Sequence, residues 1–80
     1  MSSVKISIRQ IKAARELLGW TQEKLASVSR VSAPTIRRLE AEGGDLGGWK
    51  STQAKILEAF AKARIEFTNG NAPGVRLRKK

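Results

Sequence analysis

Thr21-Gln22-Glu23-Lys24-Leu25-Ala26-Ser27-Val28-Ser29-Arg30-Val31-Ser32-Ala33-Pro34-Thr35-Ile36-Arg37-Arg38-Leu39 reads as two short helices joined by a tight turn. The Thr21 hydroxyl is suited to accept a hydrogen bond from one of the free N–H groups that open a helix. Leu25, Ala26 and Val28 put apolar groups on one side of that helix. Ser32 offers a second cap a few residues later. Pro34 falls in the first turn of the next helix, where its missing N–H removes no intrahelical bond. Ile36 and Leu39, three apart, predict the buried stripe of this second helix. Two capped helices so close in sequence must cross steeply, as in a helix-turn-helix.

Gln22-Glu23-Lys24-Leu25-Ala26, Val31-Ser32, Thr35-Ile36 and Leu39-Glu40 together resemble the motif of the Xre-type (lambda-repressor-like) transcriptional regulators. Small Ala26, turn residue Val31 and core Ile36 all fall in register with it. Leu18-Gly19-Trp20 before the motif, and Ile65-Glu66-Phe67 with Gly74-Val75-Arg76-Leu77-Arg78 after it, extend the resemblance to residues 8–78. It implies a mainly α fold: a compact lambda-repressor-like bundle of four to five helices with a C-terminal β-hairpin or strand pair. Residues 1–80 are expected to form a single DNA-binding domain, with the helix-turn-helix at 21–40 and strands at about 65–78. One position departs from the family pattern: the turn glycine is replaced by Arg30. A left-handed backbone there strains a residue with a Cβ by ~1 kcal/mol or more, so the turn is either opened slightly or tolerates arginine.

Composition agrees with a polyanionic partner. Sixteen Lys and Arg against 7 Asp and Glu give a formal charge of +9 on 80 residues. A chain of this size buries only ~60% of its unfolded surface, which suits helices joined by short loops. There is no Cys, so neither disulfides nor thiolate metal sites are expected, and no cofactor is implied. No run approaches the ~18 apolar residues of a membrane span, and no signal-peptide core follows Met1. The expected location is the cytoplasm, associated with the nucleoid.

Upstream of the motif, Met1 to Lys5 is polar and expected to be mobile. Ser7 can cap a helix from Ile8 to Leu18 with Ile8, Ile11, Ala14 and Leu18 on one face, and Gly19 supplies its left-handed end. Trp20, just before the Thr21 cap, is expected to pack across the next helix. Downstream, Glu40 to Gly48 is a glycine-broken loop closed by Trp49, read as a lid over the core, and Lys50. Ser51 or Thr52 then caps a helix to about Ala63, with Ile56, Leu57, Phe60 and Ala63 as its apolar stripe.

Beyond Arg64 the period changes to two. Ile65 and Phe67 alternate with Glu66 and Thr68, and Val75 and Leu77 with Arg76 and Arg78, around the turn chemistry of Asn69-Gly70-Asn71-Ala72-Pro73-Gly74. An isolated two-stranded hairpin is marginal in water. Either its apolar face lies on the helices or its edge pairs with a second chain, making a homodimer. Arg76, Arg78, Lys79 and Lys80 form a basic end, read equally as a solubilising tail or a DNA arm.

In a helix-turn-helix the second helix enters the major groove and its N-terminal residues meet base edges. Arg37 and Arg38 are the base-reading candidates, since one guanidinium can bond guanine O6 and N7 together. Ala33 and Pro34 offer only apolar contact to a thymine methyl, or close approach of the backbone. By the resemblance, Gln22 contacts phosphate and braces the recognition helix; a side-chain amide beside free helix N–H groups is also a chemically sensible anion clamp. Thr21, Arg30, Ser32, Thr35 and Lys50 complete the phosphate-binding candidates, with Arg9 and Arg15 behind them.

The expected function is that of a sequence-specific double-stranded DNA-binding regulator, a repressor occupying an operator through the helix at 33–40. The alternative is a DNA-binding antitoxin or protein-interaction module whose C-terminal strands hold a partner protein. An enzyme is not expected: Glu40 and Glu42 do not face each other on a helix, and no reacting constellation is visible.

Overall fold

The computed structural model describes residues 6–68 and 73–78. The expectations for residues 1–5, for the turn at 69–72 and for Lys79 and Lys80 lie outside the described residues. Four helices, α1 (Ile8–Leu18), α2 (Gln22–Ser29), α3 (Ala33–Glu42) and α4 (Lys50–Lys62), precede two antiparallel strands, β1 (Ile65–Thr68) and β2 (Gly74–Leu77). No helix among them is long and apolar enough to cross a membrane.

Local chemistry sets the helix ends. Ser7 and Gln10 form a reciprocal capping box: the Ser7 hydroxyl accepts from the Gln10 N–H at 3.2 Å, and Gln10 Oε1 accepts from the Ser7 N–H at 2.9 Å. Gly19 closes α1 at φ 68°. Thr21 caps α2 by accepting from the Lys24 N–H at 3.0 Å, and Ser32 caps α3 by accepting from the Thr35 N–H at 3.3 Å. The helix α3 continues to Glu42, two residues beyond the expected end at Glu40. Neither Ser51 nor Thr52 caps α4. The extended backbone of Trp49 takes that position without a side-chain cap bond, and Gln53 ties back to the Gly48 carbonyl at 3.1 Å.

Each helix gives one stripe to the core: Ile8, Ile11 and Ala14 from α1, Leu25 from α2, Ile36 and Leu39 from α3, and Ile56, Ala59 and Phe60 from α4. Phe60 is the aromatic centre, with Trp20 stacked on it at 5.7 Å and Phe67 edge-on at 5.9 Å. Three expected core positions are corrected. Val28 is 40% exposed, because the inward place one residue later goes to Ser29, whose hydroxyl accepts the Val31 N–H of the turn at 3.3 Å. Ala63 is the C-cap of α4, so the stripe ends with Ala59 and Phe60. Trp49 is 81% exposed and covers nothing; Leu46, earlier in the same loop, is the residue that packs against the core.

The glycine-rich loop is tethered to the start of α1. The Ile8 N–H donates to the Gly44 carbonyl and the Leu46 N–H to the Ile6 carbonyl, each at 2.7 Å. The strands form a hairpin within the chain, with Ile65 opposite Leu77 and Thr68 opposite Gly74, packed on α1 and α4. Ile65 is buried, while Phe67 and Val75 lean on the core, which supplies the support a lone hairpin lacks. Gln10 anchors its far end: buried Nε2 donates to the carbonyls of Thr68 at 3.0 Å and Gly74 at 2.9 Å.

At the turn, Arg30 takes φ 64° and its N–H donates to the Ala26 carbonyl at 2.9 Å. The turn is therefore not opened; arginine occupies the left-handed position itself. Arg30→Gly is expected to stabilise the protein by about 1 kcal/mol, read as a rise in thermal midpoint of ~4–8 °C. Replacing Gln10 by Leu leaves two strand carbonyls without their partner and is expected to cost about 2 kcal/mol. Hydrogen exchange should then speed selectively in β1 and β2.

Candidate nucleic-acid interface

Arg15 and Glu40 lie 25 residues apart in sequence and meet between α1 and α3. Arg15 Nε donates to Glu40 Oε2 and Arg15 Nη2 to Glu40 Oε1, both at 2.8 Å, a fork-to-fork pair. Arg15 Nη1 donates to the Trp20 carbonyl at 3.0 Å, which fixes the linker into α2. Gln22, the first residue of α2, donates from Nε2 to Glu40 Oε1 at 2.9 Å. Glu40 is only 4% exposed, so this cluster is a joint that sets α1, the start of α2 and α3 relative to one another. Arg15 is thereby withdrawn from the phosphate candidates: its guanidinium is committed to Glu40 and Trp20.

Over this joint lies an open groove lined by Lys12, Gln22, Arg37, Glu40 and Ala41. Arg37 stands out from α3, half-exposed, and its Nη1 donates to Glu23 Oε2 at 3.2 Å. Arg38 is exposed beside it, with no ion pair among the described residues. The Ser32 and Thr35 hydroxyls bond each other at 2.8 Å at the start of α3, next to half-buried Ala33 and exposed Pro34. Thr21 is exposed at its cap. Sequence reasoning placed Gln22 and Arg37 as candidates but missed Lys12, which shares their groove. The missing signal is a contact across elements, since nothing in the local spacing of α1 distinguishes Lys12 from other exposed lysines.

Other candidates stand elsewhere. Arg30 lines a different groove, between α2 and α4, with Val28, Lys55, Glu58 and Lys62. Arg9 borders the cleft between α1 and the hairpin, with Ala13 and Gly74. Lys50 is exposed on the first residue of α4, next to Trp49. The structure thus brings Gln22, Arg37 and Lys12 to one groove and leaves Arg30 outside it. Among the described residues no three acidic, His or Cys side chains converge on a metal-sized site.

Burial pushes the Glu40 carboxyl up, but the hydrogen bonds from Arg15 and Gln22, with the charges of Arg15 and Lys12, more than offset it and hold it below the usual carboxylate range. The Glu40 hydrogen bond in turn holds the Arg15 guanidinium more firmly protonated, against the opposing effect of its own burial.

A family model described as Helix-turn-helix matches residues 11–46, from the second turn of α1 into the glycine loop. No curated protein matches the chain.

Because the folded value for Glu40 is depressed, its contribution is complete above the unfolded carboxylate pKa and is lost as pH falls through the folded value. Glu40→Gln leaves Arg15 as a charge without its partner and is expected to cost about 3 kcal/mol at neutral pH. Denaturant midpoints followed with pH should show the gap between wild type and variant constant from pH 7 to about 5 and narrowing only below about pH 4.

Proposed function

The helix-turn-helix at residues 11–46 belongs to the Xre-type, lambda-repressor-like family of DNA-binding regulators, and on that premise we propose that this chain recognises a specific double-stranded sequence and represses by occupying it. In this reading the exposed face of α3 lies in the major groove and Arg37 meets base edges, with Arg38 reading a base or gripping the flanking phosphate. Gln22 and Lys12 face the phosphate backbone, aided by the free N–H groups opening α2. Thr21, Ser32 and Thr35 flank this contact. Ala33 and Pro34 lie against the groove floor.

The observation that carries the proposal is the shared groove of Lys12, Gln22 and Arg37 in a chain of net charge +9. One joint holds all three elements that supply it, so cations and amide arrive at the duplex as a fixed set rather than as independent surface side chains. The hairpin supports a further part of the proposal. Among the described residues its sheet has two strands, and Leu77 at the end of β2 is 40% exposed. Two copies paired along a strand edge would set their recognition helices on half-sites ~34 Å apart.

Selection of bound fragments from random duplex DNA, repeated at two salt concentrations, tests the reading. Arg37→Ala or Arg38→Ala should relax preference at one position by ~1–3 kcal/mol. Gln22→Ala should weaken all sequences alike. An unchanged preferred sequence in both arginine variants contradicts the base-reading assignment.

A further inference from the structure

The proposed DNA face carries a carboxylate, Glu23, whose presence opposes its task. Glu40 is committed to Arg15 and Gln22, and Glu66 to Arg76 and Arg78 on the hairpin. Glu23 instead stands exposed in the first turn of α2, next to Gln22, and among the described residues its side chain bonds Arg37. A negative charge there repels phosphate, so it lowers affinity for any duplex. Its geometry offers a compensation. An arginine side chain is long and rotamer-rich, and a phosphate captures it as readily as a guanine does. Glu23 takes Nη1 from one side at 3.2 Å, which leaves the Nε and Nη2 donors of the planar fork for a second acceptor pair. Guanine O6 and N7 require two such donors. Arg38, one residue on, has no ion pair of this kind among the described residues.

We propose that Glu23 is a specificity-determining residue of this interface: its carboxylate holds the Arg37 guanidinium toward base edges, and its charge keeps the phosphate backbone from capturing that guanidinium. Glu23 is a positioning residue, acting through Arg37 rather than on the bases itself. The inference rests on the reading that α3 enters the major groove.

The test measures binding of the wild type, Glu23→Ala, Glu23→Gln, Arg37→Ala and the Glu23→Ala/Arg37→Ala double variant. Three duplexes serve as probes: the selected sequence, the same sequence with the Arg37-dependent base pair changed, and an unrelated sequence. Both side chains are largely exposed, so the core is untouched. Glu23→Ala should bind the unrelated duplex several-fold more tightly and lose roughly tenfold in discrimination at the Arg37 position. Glu23→Gln, which keeps an acceptor but drops the charge, should show the same gain on unrelated DNA and a smaller loss of discrimination. With Arg37 already removed, Glu23→Ala should change base preference no further. Unaltered discrimination in Glu23→Ala overturns the inference, as does an equal loss with and without Arg37. A wild type that prefers no duplex overturns the functional reading and this inference together; one that discriminates while Glu23→Ala discriminates equally overturns this inference alone.

Discussion

A carboxylate taken out of water needs a partner charge and hydrogen bonds for its remaining lone pairs, and Glu40 finds both only where α1, α2 and α3 meet. Arg15 supplies the charge through two parallel bonds, and Gln22 supplies a third donor. This requirement is directional in a way that apolar packing is not. Ile11, Leu25 and Ile36 would tolerate small slides of one helix over another, whereas the fork between Arg15 and Glu40 loses its geometry at once. The third Arg15 bond, to the Trp20 carbonyl, extends the constraint to the segment joining α1 to α2. The start of α2 and the exposed face of α3 therefore keep a fixed relation, which is what a surface that must fit a regular double helix requires.

The rest of the molecule supports that joint from behind. A core this small leaves little surplus stability, and the hairpin adds to it by laying Ile65, Phe67 and Val75 over α1 and α4. Gln10 is the counterpart of Glu40 on that side: a buried polar side chain whose amide closes a capping box and holds two strand carbonyls at once. Both residues use hydrogen bonds to lock elements distant in sequence. The groove of Lys12, Gln22 and Arg37 belongs to the face that Glu40 organises, and the hairpin to the one that Gln10 organises.

Much of this was legible in the sequence because it is local. Caps at Ser7, Thr21 and Ser32, the glycine stop at Gly19, the stripes of α1 and α3 and the two-residue period from Ile65 all follow from spacing within a few residues. The outward placement of Arg37 and Arg38 follows from the inward one of Ile36 and Leu39. What was not legible is long-range. Glu40 reads as one more helix-end acid until Arg15 is brought to it. Trp49 reads as a core aromatic, yet Leu46 is the residue of that loop that packs on the core and Trp49 stays exposed. Val28 and Ser29 are adjacent, and the inward place four residues after Leu25 goes to the serine, whose hydroxyl accepts the Val31 N–H of the turn. Gln10, three residues after Ser7, carried a readable capping-box signal, but its bonds to the hairpin depend on a contact no local pattern encodes.

The central claim is that the surface fixed by Glu40 is the one a duplex meets. Amide chemical-shift mapping during titration with the selected duplex tests it most directly. Shifts concentrated at Lys12, residues 21–24 and residues 33–38, with β1 and β2 nearly silent, are the predicted result. Shifts centred instead on the Arg30, Lys55 and Lys62 groove, or on the hairpin, would contradict the account.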